Sequence, residues 1–383
     1  MACLAAANAV MAISQTNVAS IYLHVSIDFH QSVYGLGLLT SVYFLGYGLF
    51  EIPGGILAAK VGPKALVISG GLLTSAALFA CAIAPDFASL EVFRALAGVG
   101  YGLLFAPTLV LIIRGLGSGS VGIGSALATI SFSLGGFAGV YGWSLLSDEL
   151  GWRGSLLLES AITLLAISTV AILVPGEGYD PGFGVGVTQL RRALMDRRLL
   201  AVALSIFGGA ATANLTGSFL VYYLEVSLGV QPDLAGLIGA VTYLTPALTG
   251  IAAGRLYDRG VSANSLLVAA AISVTAGTAV VAYPSVYAAI IGSAVAGLAL
   301  GAGGTAAFSA ARNLSISPEY ESLNVSFVDG VSLAGLFVSP LYFAAIAANT
   351  SYSLAWIVGS TAAVLSAVPL LFIRLERRPT VAA

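Results

Sequence analysis

Long apolar stretches, separated by short polar turns, run from one end of this 383-residue chain to the other. Hydrophobic residues make up 58% of the sequence and charged residues 8%, about a third of the share that soluble domains carry. Fifteen basic and 17 acidic side chains cannot cover the water-facing surface of a soluble protein of this size. The composition therefore excludes a soluble enzyme, a disordered scaffold and a nucleic-acid binder, and it indicates an all-α protein that crosses a membrane many times.

The apolar stretches have the length of membrane-spanning helices. A bilayer core about 30 Å thick needs roughly 20 apolar residues per helix. Breaking the chain at charges, Gly/Pro clusters and polar turns gives twelve segments, with eleven as the alternative count. The predicted spans are 3–24, 33–58, 66–86, 89–113, 121–147, 154–174, 199–225, 232–255, 264–284, 286–311, 322–347 and 352–374.

The basic residues indicate which way the chain is oriented. Cytoplasmic loops hold most Lys and Arg residues of a membrane protein, and an N-terminus inside places 13 of the 15 basic residues in such loops. Of the other two, Arg153 falls outside and Arg94 falls within a span. Trp143, Trp152 and Trp356 are expected at the outer interface, where indoles settle. We therefore predict a multi-pass protein of the inner (plasma) membrane with cytoplasmic N- and C-termini.

A Gly/Pro-rich interval divides the chain into two halves. Seven of the twelve residues at 175–186 are Gly or Pro, which is a linker composition, and the basic stretch 188–198 follows as a predicted amphipathic helix. The predicted domains are a six-helix bundle at 1–175, a cytoplasmic linker at 176–198, and a second bundle with a short tail at 199–383. A shift of 199 residues superposes Gly98 and Gly102 on Gly297 and Gly301. This shift indicates a parallel internal repeat, which is typical of transporters.

Several short motifs resemble those of the major facilitator superfamily of secondary transporters. They are the loop residues Gly55, Lys60, Gly62 and Lys64, their partial copy Gly254, Asp258 and Arg259, the helix motif Arg94, Gly98 and Gly100, and the turn Gly151-Trp152-Arg153. The resemblance implies twelve helices in two pseudo-symmetric six-helix bundles. It also implies that the loops latch the halves together, although Ala59 replaces the family's Asp, which leaves Asp258 and Arg259 for that role. Simple topology determinants are the alternative reading of these loops.

Four ionisable residues fall inside the predicted spans: Glu51, Arg94, Glu159 and Asp329. Such groups are costly in a bilayer and mark pathways. Carboxyl groups can take up and release protons, so we rank Asp329, near mid-depth, first as the proton carrier, Glu51, about one turn inside the cytoplasmic end, second, and Glu159 third. Permanently protonated or paired carboxyls are the alternative. The resemblance implies that Arg94 serves proton coupling or anion binding, whereas a structural ion pair or a snorkelling side chain would give it no such role.

Polar side chains in the first, second and seventh segments are candidates for solute contacts. Sites in such transporters lie near the midplane between the halves. The candidates are Asn8, Gln15, Asn17, Tyr43, Tyr47, Arg94, Asn214 and Thr216. Hydrogen bonds between helices are the alternative role for the Asn and Gln residues.

The sequence predicts a transporter of a small organic solute that works by alternating access. Proton-coupled symport is preferred over drug or metabolite efflux by antiport. A transceptor and an intramembrane enzyme are disfavoured, because the tail after Arg374 is short and because His24 and His30, the two histidines, lie near the first outer loop. The expected partners are the solute, protons and the lipid bilayer. We expect a monomer with no cofactor, no metal and no nucleic acid.

Overall fold

The computed structural model describes residues 1–116, 121–176, 195–315 and 321–375, and these ranges are helical almost throughout. Eleven helical segments are long and apolar enough to cross a membrane. The longest, Leu127–Leu173, bends at Gly151, where φ is 70°, and it therefore contains two spans. The all-α membrane fold is confirmed, and the predicted count of twelve is reached when the bent segment is counted as two.

We number the twelve spans α1 to α12 in chain order. They are α1 Ala2–Asp28, α2 Val33–Val61, α3 Pro63–Ala82, α4 Phe87–Gly115, α5 121–150, α6 152–173, α7 Arg197–Leu228, α8 Pro232–Asp258, α9 Ala263–Val280, α10 Val286–Asn313, α11 Glu321–Asn349 and α12 Tyr352–Ala367. Because the described residues contain an even number of spans, residues 1 and 375 lie on one side, which we call the terminal side. The other side is called the opposite side.

Local sequence signals account for where many helices begin and end. The Asp86 carboxylate accepts a hydrogen bond from the Ser89 amide at 2.8 Å and caps α4, and Ser351 caps α12 through the Leu354 amide at 3.2 Å. At the other end of a helix, Gly229 adopts a left-handed conformation that terminates α7. These caps lie in turns between spans, where an unsatisfied backbone group would otherwise remain.

Three spans are interrupted within the membrane. The hydrogen bonding of α1 is irregular at Asn17 and that of α8 at Thr245, directly before Pro246, although both residues keep helical φ and ψ, and α5 contains a π-helical turn at Ala138–Gly142. Proline lacks the amide hydrogen that an uninterrupted helix needs, which accounts for the irregularity in α8. Such interruptions often lie beside functional sites, and the one at Asn17 does so here.

The internal repeat predicted from sequence is present in the packing. In both halves, glycines of one helix approach backbone carbonyl oxygens of another so closely that a Cβ would lie 2.0–2.5 Å from the oxygen. The contacts are Gly98 on Tyr43 and Gly102 on Tyr47 between α4 and α2, and Gly297 on Thr242 and Gly301 on Pro246 between α10 and α8. Every residue in the second set follows its counterpart by 199 positions, so the two halves have the same internal architecture.

The buried apolar residues form three clusters that are arranged differently on the two sides. On the opposite side a single cluster contains residues of both bundles, among them Tyr22 of α1, Phe219 of α7 and Phe343 of α11. Towards the terminal side, one cluster with Leu104 lies mainly in the first bundle but includes Leu333 of α11, and another with Ala306 lies in the second bundle. Among the described residues, the bundles therefore share a core on the opposite side and meet towards the terminal side along α2 and α11.

The longest contact between the bundles runs along α2 and α11. A Cβ on Gly37 would lie 2.7 Å from the Ala344 Cβ, and one on Gly48 would lie 3.5 Å from the Leu333 Cβ. A second contact joins α5 to α8, where a Cβ on Gly136 would meet the ring of Tyr243 at 2.9 Å. Small residues thus let the helices of the two bundles approach closely, as in other membrane proteins.

The expected placement of the tryptophans is only partly right. Trp143, Trp152 and Trp356 lie towards the opposite side but are buried in the bundles instead of lying at an exposed interface. Trp356 packs with its ring centroid 4.6 Å from that of Phe343, and Trp152 packs 5.7 Å from Phe29. Aromatic packing inside the protein therefore outweighs the interfacial preference of the indole.

Parts of the predicted linker and tail lie outside the described residues. They include most of the amphipathic stretch 188–198, with Arg191 and Arg192, and the tail residues Arg377 and Arg378. The description resumes at residue 195, and Asp196 caps α7 through the Arg198 amide at 2.8 Å. The seventh span thus begins at Arg197, two residues before its predicted start.

Candidate functional site

Five polar residues from four helices meet inside the first bundle and form what we call the arginine cluster. They are Ser14 and Asn17 of α1, Tyr43 of α2, Arg94 of α4 and Glu159 of α6. Arg94 lies seven residues into α4 and Glu159 seven residues beyond Trp152, about 10 Å from the opposite end of each helix. The irregularity in α1 at Asn17 falls at the same level. The interrupted helix thus places its polar side chains beside the buried charges.

Asn17 connects the two charges of the arginine cluster. Its amide nitrogen donates a hydrogen bond to Glu159 Oε2, and its carbonyl oxygen lies 3.5 Å from Arg94 Nη1. Arg94 Nη1 also donates to the Ser14 backbone oxygen at 3.2 Å, and its guanidinium carbon lies 4.6 Å from the centroid of the Tyr43 ring. Among the described residues, no carboxylate oxygen lies within ion-pair distance of Arg94. The charges are therefore bridged by an amide and a ring face rather than paired directly.

Several polar atoms of the arginine cluster have no hydrogen-bond partner among the described residues. They are Nε and Nη2 of Arg94, Oε1 of Glu159, and the hydroxyl oxygens of Tyr43 and Ser14. Arg94 is only 1% exposed, which rules out a snorkelling side chain. An unsatisfied polar atom in such an environment costs about 1–3 kcal/mol, and more when it is charged. The cluster thus has spare donors and acceptors for protons, water or a small ligand.

A second site lies between the two bundles and consists of two carboxyl groups, which we call the carboxyl pair. Glu51 of α2 and Asp329 of α11 lie within hydrogen-bonding reach of each other. Ser332 donates a hydrogen bond to Asp329 Oδ1 at 3.3 Å, whereas Glu51 Oε2 has no partner. Glu51 is buried, and Asp329 is half-buried. Glu51 is thus the more enclosed member of the pair.

The depth predicted for Glu51 is wrong. The sequence placed it about one turn from the end of its helix, but α2 continues through Pro53 to Val61. Glu51 therefore lies ten residues, or about 15 Å, from the terminal end of α2. Asp329 lies eight residues into α11, at about 12 Å, as expected. The similar depths allow the two carboxyl groups to meet.

Asn8 and Asn214 form hydrogen bonds between helices, which is the alternative that the sequence left open. Asn8 donates to the Ala128 oxygen and the Ser131 hydroxyl of α5, both at 2.8 Å. Asn214 makes the equivalent contacts with α11, at 3.3 Å to the Leu336 oxygen and 3.2 Å to the Ser339 hydroxyl. Asparagines thus join the corresponding helix pairs α1–α5 and α7–α11 of the two bundles, although they do not stand at equivalent positions of the 199-residue repeat.

The remaining solute-contact candidates differ in their surroundings. Thr216 is buried and donates to the backbone oxygen of Ala213 in its own helix. Gln15 is half-buried, and within the described residues no hydrogen bond joins its side chain to the arginine cluster or to the carboxyl pair. Tyr47 is buried one turn before Glu51 on α2. Of the eight candidates, the structure brings together Asn17, Tyr43 and Arg94.

The loop motifs lie on the terminal side. Gly62 ends α2 with φ at 91°, a conformation that glycine adopts readily, and Pro63 starts α3. Lys60, Asp258 and Arg259 are exposed, Lys64 and Gly254 are half-buried, and a Cβ on Gly55 would meet nothing within 4 Å. Among the described residues, no ion pair involves Asp258 or Arg259. The latch expected from these residues stays a prediction.

Sequence reasoning missed two features of the site. Arg153, noted as an outer cation and as part of the Gly151-Trp152-Arg153 turn but without a partner, binds Asp28 at the end of α1 and donates to the Ala84 oxygen at 3.1 Å, which ties together three helix ends on the opposite side. Tyr101 of α4, also missed, lies between Tyr43 and Tyr47. It follows Arg94 by seven residues, a spacing that places both on one face of the helix and could have revealed it.

The side chains that could act as metal ligands are not clustered in the part of the chain that the structure describes. Among the described residues, no group of three or more His, Cys, Asp or Glu side chains is arranged so that it could hold a metal ion. Cys3 is half-buried and Cys81 is buried, and both are free thiols.

Comparisons with known proteins cover almost the whole chain. The model of a family described as the Major Facilitator Superfamily matches residues 4–222 and 200–383. Monocarboxylate transporter 13 of Bos taurus is 30% identical over 212 residues, which cover 54% of this chain and 48% of that protein. Monocarboxylate transporter 11 of Homo sapiens is 31% identical over 216 residues, covering 53% and 43%. The chain thus spans about half the length of the curated relatives it matches.

Solved structures resemble the fold over a greater length. A bacterial homologue of the human lysosomal transporter Spinster, in an inward-facing and occupied conformation, has a TM-score of 0.79 at 17% identity and covers 97% of this chain and 93% of that chain. A mutant of the nucleoside transporter NupG has a TM-score of 0.80 at 12% identity and covers 96% and 99%. At these identities the likeness concerns the fold alone. The relatives and structures named here are described as transporters, in agreement with the expectation that the chain is not an enzyme.

Proposed function

Because this chain belongs to the major facilitator superfamily, we propose that it is a secondary transporter that moves a small organic anion together with protons by alternating access. Symport is the preferred mode, and a monocarboxylate is the preferred solute. The proposal rests above all on one observation, the carboxyl pair that Glu51 and Asp329 form across the two bundles.

The carboxyl pair can couple protons to movement because its members belong to different bundles. Two carboxylates held this close repel each other, so a proton shared between them stabilises the contact of α2 with α11. Loss of that proton favours separation of the helices, and separation in turn allows both groups to ionise. In this proposal the proton reaches the enclosed Glu51 by way of Asp329, the less deeply buried member of the pair. Protonation and the relative position of the bundles are thereby linked.

The preference for a monocarboxylate has two supports. The relatives that match about half of the chain are named as monocarboxylate transporters, and the chain buries a guanidinium group at Arg94 with two nitrogen atoms free of partners. A guanidinium group suits carboxylate recognition because its donors match both carboxylate oxygens. We propose that Arg94 attracts the anion when the first bundle rearranges during the cycle.

The same proposal includes an orientation. Most Lys and Arg residues lie on the terminal side, which the positive-inside rule assigns to the cytoplasm. The bundles share a core on the opposite side, so this conformation corresponds to the inward-facing state of the proposed cycle. Cysteines placed at Val261 and Ser285, in turns on the terminal and opposite sides, test the orientation through their reaction with a membrane-impermeant maleimide in intact cells. We expect labelling at residue 285 alone.

Transport is tested with purified protein in proteoliposomes and radiolabelled pyruvate, lactate, acetate and benzoate as probes. We expect uptake above that of protein-free liposomes, and accumulation when the outside is more acidic than the inside. Exchange of labelled for unlabelled probe at equal pH should also occur. Accumulation that does not depend on the pH gradient would contradict proton coupling. Accumulation driven by the reversed gradient would favour the antiporter. No exchange with any probe would reject the monocarboxylate class.

The carboxyl pair is tested by Glu51→Gln and Asp329→Asn. Both variants should lose at least tenfold in gradient-driven accumulation of the probe but retain exchange, because exchange needs no net release of the proton. Glu149→Gln, which changes an exposed acid on the opposite side, is the matched control and should behave as the wild type. Full gradient-driven accumulation in both Glu51→Gln and Asp329→Asn would contradict the assigned role of the pair.

A further inference from the structure

Three tyrosines form a continuous array between the arginine cluster and the carboxyl pair. The Arg94 guanidinium lies over the Tyr43 ring, whose centroid is 6.1 Å from that of Tyr101. The Tyr101 ring is in turn 4.6 Å from that of Tyr47. Tyr47 precedes Glu51 by four residues, or one turn of α2, so the two side chains lie on the same helix face. We call Tyr43, Tyr101 and Tyr47 the tyrosine array.

The hydroxyl groups of the tyrosine array lie in an apolar interior. Tyr101 is 0% exposed, Tyr43 and Tyr47 are buried, and all three belong to the apolar cluster of the first bundle. The hydroxyls of Tyr43 and Tyr101 have no hydrogen-bond partner among the described residues. Phenylalanine would fill the same space without the cost of a buried hydroxyl, which is about 1–3 kcal/mol. Packing alone therefore does not account for the hydroxyl groups.

Charged groups lie within electrostatic range of the array at both ends. Tyr47 and Tyr101 are close enough to Glu51 and Asp329 to feel their charges, and Tyr43 is close enough to Arg94 and Glu159. Other titratable groups face the same region. They are Cys81 of α3 and Tyr22 of α1, both near Arg94. The hydroxyl of Tyr22 is already hydrogen-bonded to Thr40. The hydroxyls of Tyr43 and Tyr101, which lie between the two ionisable sites, are among the buried hydroxyls without a partner in the described residues.

We propose that the tyrosine array carries protons between Glu159 and the carboxyl pair, with water molecules bridging the gaps between hydroxyl groups. The inference rests on the proposed function of a proton-coupled transporter. In each step a hydroxyl oxygen accepts one proton while its own proton passes to the next acceptor, so every tyrosine ends neutral and unchanged. One proton leaves the carboxylic acid at one end, and one proton reaches the carboxylate at the other.

The relay separates the path of the proton from the path of the solute. Glu159 lies about 10 Å from the opposite end of α6, and the carboxyl pair lies 12–15 Å from the terminal end of α2 and α11. The array between them runs inside the first bundle, through α2 and α4. The solute, in contrast, passes between the bundles. A proton can then cross the middle of the protein while the shared core keeps the solute path closed on the opposite side.

The test is Tyr101→Phe, which keeps the ring and removes only the hydroxyl. Two quantities are measured in proteoliposomes with a probe that the wild type exchanges, such as pyruvate: exchange at equal pH, and solute-dependent proton entry reported by a pH-sensitive dye trapped inside. We expect exchange within about twofold of the wild type and at least a tenfold loss of proton entry. Tyr342→Phe is the matched control, since it removes a buried hydroxyl that donates to the Gly359 oxygen in the second bundle.

Each other outcome overturns the relay. Wild-type proton entry in Tyr101→Phe shows that the hydroxyl carries no protons. Loss of both exchange and proton entry, with Tyr342→Phe active, shows that the hydroxyl serves transport itself rather than proton passage. A wild-type protein that exchanges the probe but moves no protons rejects proton coupling and the relay with it. If the wild-type protein exchanges none of the probes, the proposed function itself is rejected. The absence of exchange distinguishes this outcome from a failure of the relay alone.

Discussion

Asn17 holds the arginine cluster together through a single amide group. It donates to Glu159, its carbonyl oxygen faces Arg94, and it lies where α1 is interrupted. A residue with only a donor or only an acceptor could not face both charges, because the guanidinium group only donates and a carboxylate only accepts. The amide therefore keeps opposite charges near each other without direct contact, which leaves the carboxyl group free to exchange its proton.

Replacing Asn17 by alanine should destabilise the protein by about 1–3 kcal/mol, since it leaves a buried carboxyl and a buried guanidinium group short of partners. Thermal unfolding in detergent, followed by the near-ultraviolet signal, measures the change. Asn349→Ala is the control, because Asn349 is exposed and bonds only to the Ala345 oxygen of its own helix. Equal unfolding temperatures for the two variants would mean that Asn17 does not hold the cluster.

The sequence predicted which residues belong to the candidate site better than it predicted which of them contact one another. Intramembrane position was enough to single out Glu51, Arg94, Glu159 and Asp329, because charge is scarce in a membrane span. It could not show that Glu51 meets Asp329, since that contact depends on how two bundles distant in the chain are placed. Nor could it show that Asn17 faces Glu159 while Asn8 bonds to α5, because both asparagines lie on the same helix and differ only in what packs beside them.

At the scale of the helices, glycines decide how closely α2 and α4 approach. The carbonyl oxygens of Tyr43 and Tyr47 point at Gly98 and Gly102, with no room for a side chain. The same contacts fix the position of Tyr101, which lies between these glycines in the chain and beside the two tyrosines of α2 in space. Helix packing and the tyrosine array therefore depend on the same few residues.

Gly98→Ala should weaken this packing, because the new Cβ would lie 2.0 Å from the Tyr43 oxygen and α4 would have to move away from α2. We expect a loss of stability of about 1–3 kcal/mol or more, seen as earlier thermal unfolding in detergent. Gly209→Ala is the control, since a Cβ there meets nothing within 4 Å although Gly209 also lies inside a span. An unchanged unfolding temperature for Gly98→Ala would contradict the close approach.

The apolar pattern predicted the spans well, and the glycine pattern revealed the repeat, because both depend on residues close in sequence. The interruptions at Asn17 and in the π-helical turn at Ala138–Gly142 were not predicted. Neither contains a proline, and each arises where the helix adjusts to its neighbours. The turn between α5 and α6 was predicted, because the polar residues Asp148, Glu149 and Arg153 separate the two predicted spans, and the chain bends there at Gly151.

At the scale of the whole molecule, the two bundles move as units only if their contact along α2 and α11 can change. That contact extends from Gly37 and Ala344 on the opposite side to Gly48 and Leu333 near the carboxyl pair. The glycines make it close without large interlocking side chains. This contact between α2 and α11, which we call the seam, is therefore suited to sliding or opening while each bundle keeps its own core.

A disulfide across the seam should stop transport. Gly48→Cys with Leu333→Cys, in a protein whose Cys3 and Cys81 are replaced by alanine, places two Cβ atoms about 3.5 Å apart, within the range for a disulfide. We expect oxidation to abolish exchange of the probe and reduction to restore it. Gly55→Cys with Leu333→Cys is the control, as a Cβ at residue 55 has no neighbour within 4 Å. Full exchange by the oxidised, crosslinked protein would mean that the seam does not move.

The core shared on the opposite side also determines how the protein responds to temperature. Opening that side separates Tyr22 from Phe219 and exposes apolar surface that is now buried between the bundles. Exposure of apolar surface to water raises the heat capacity, so the free-energy barrier to opening varies with temperature in a curved rather than a linear manner. In the proposed cycle, cooling and warming should therefore change the rate by different factors, with the opening of the opposite side as the temperature-sensitive step.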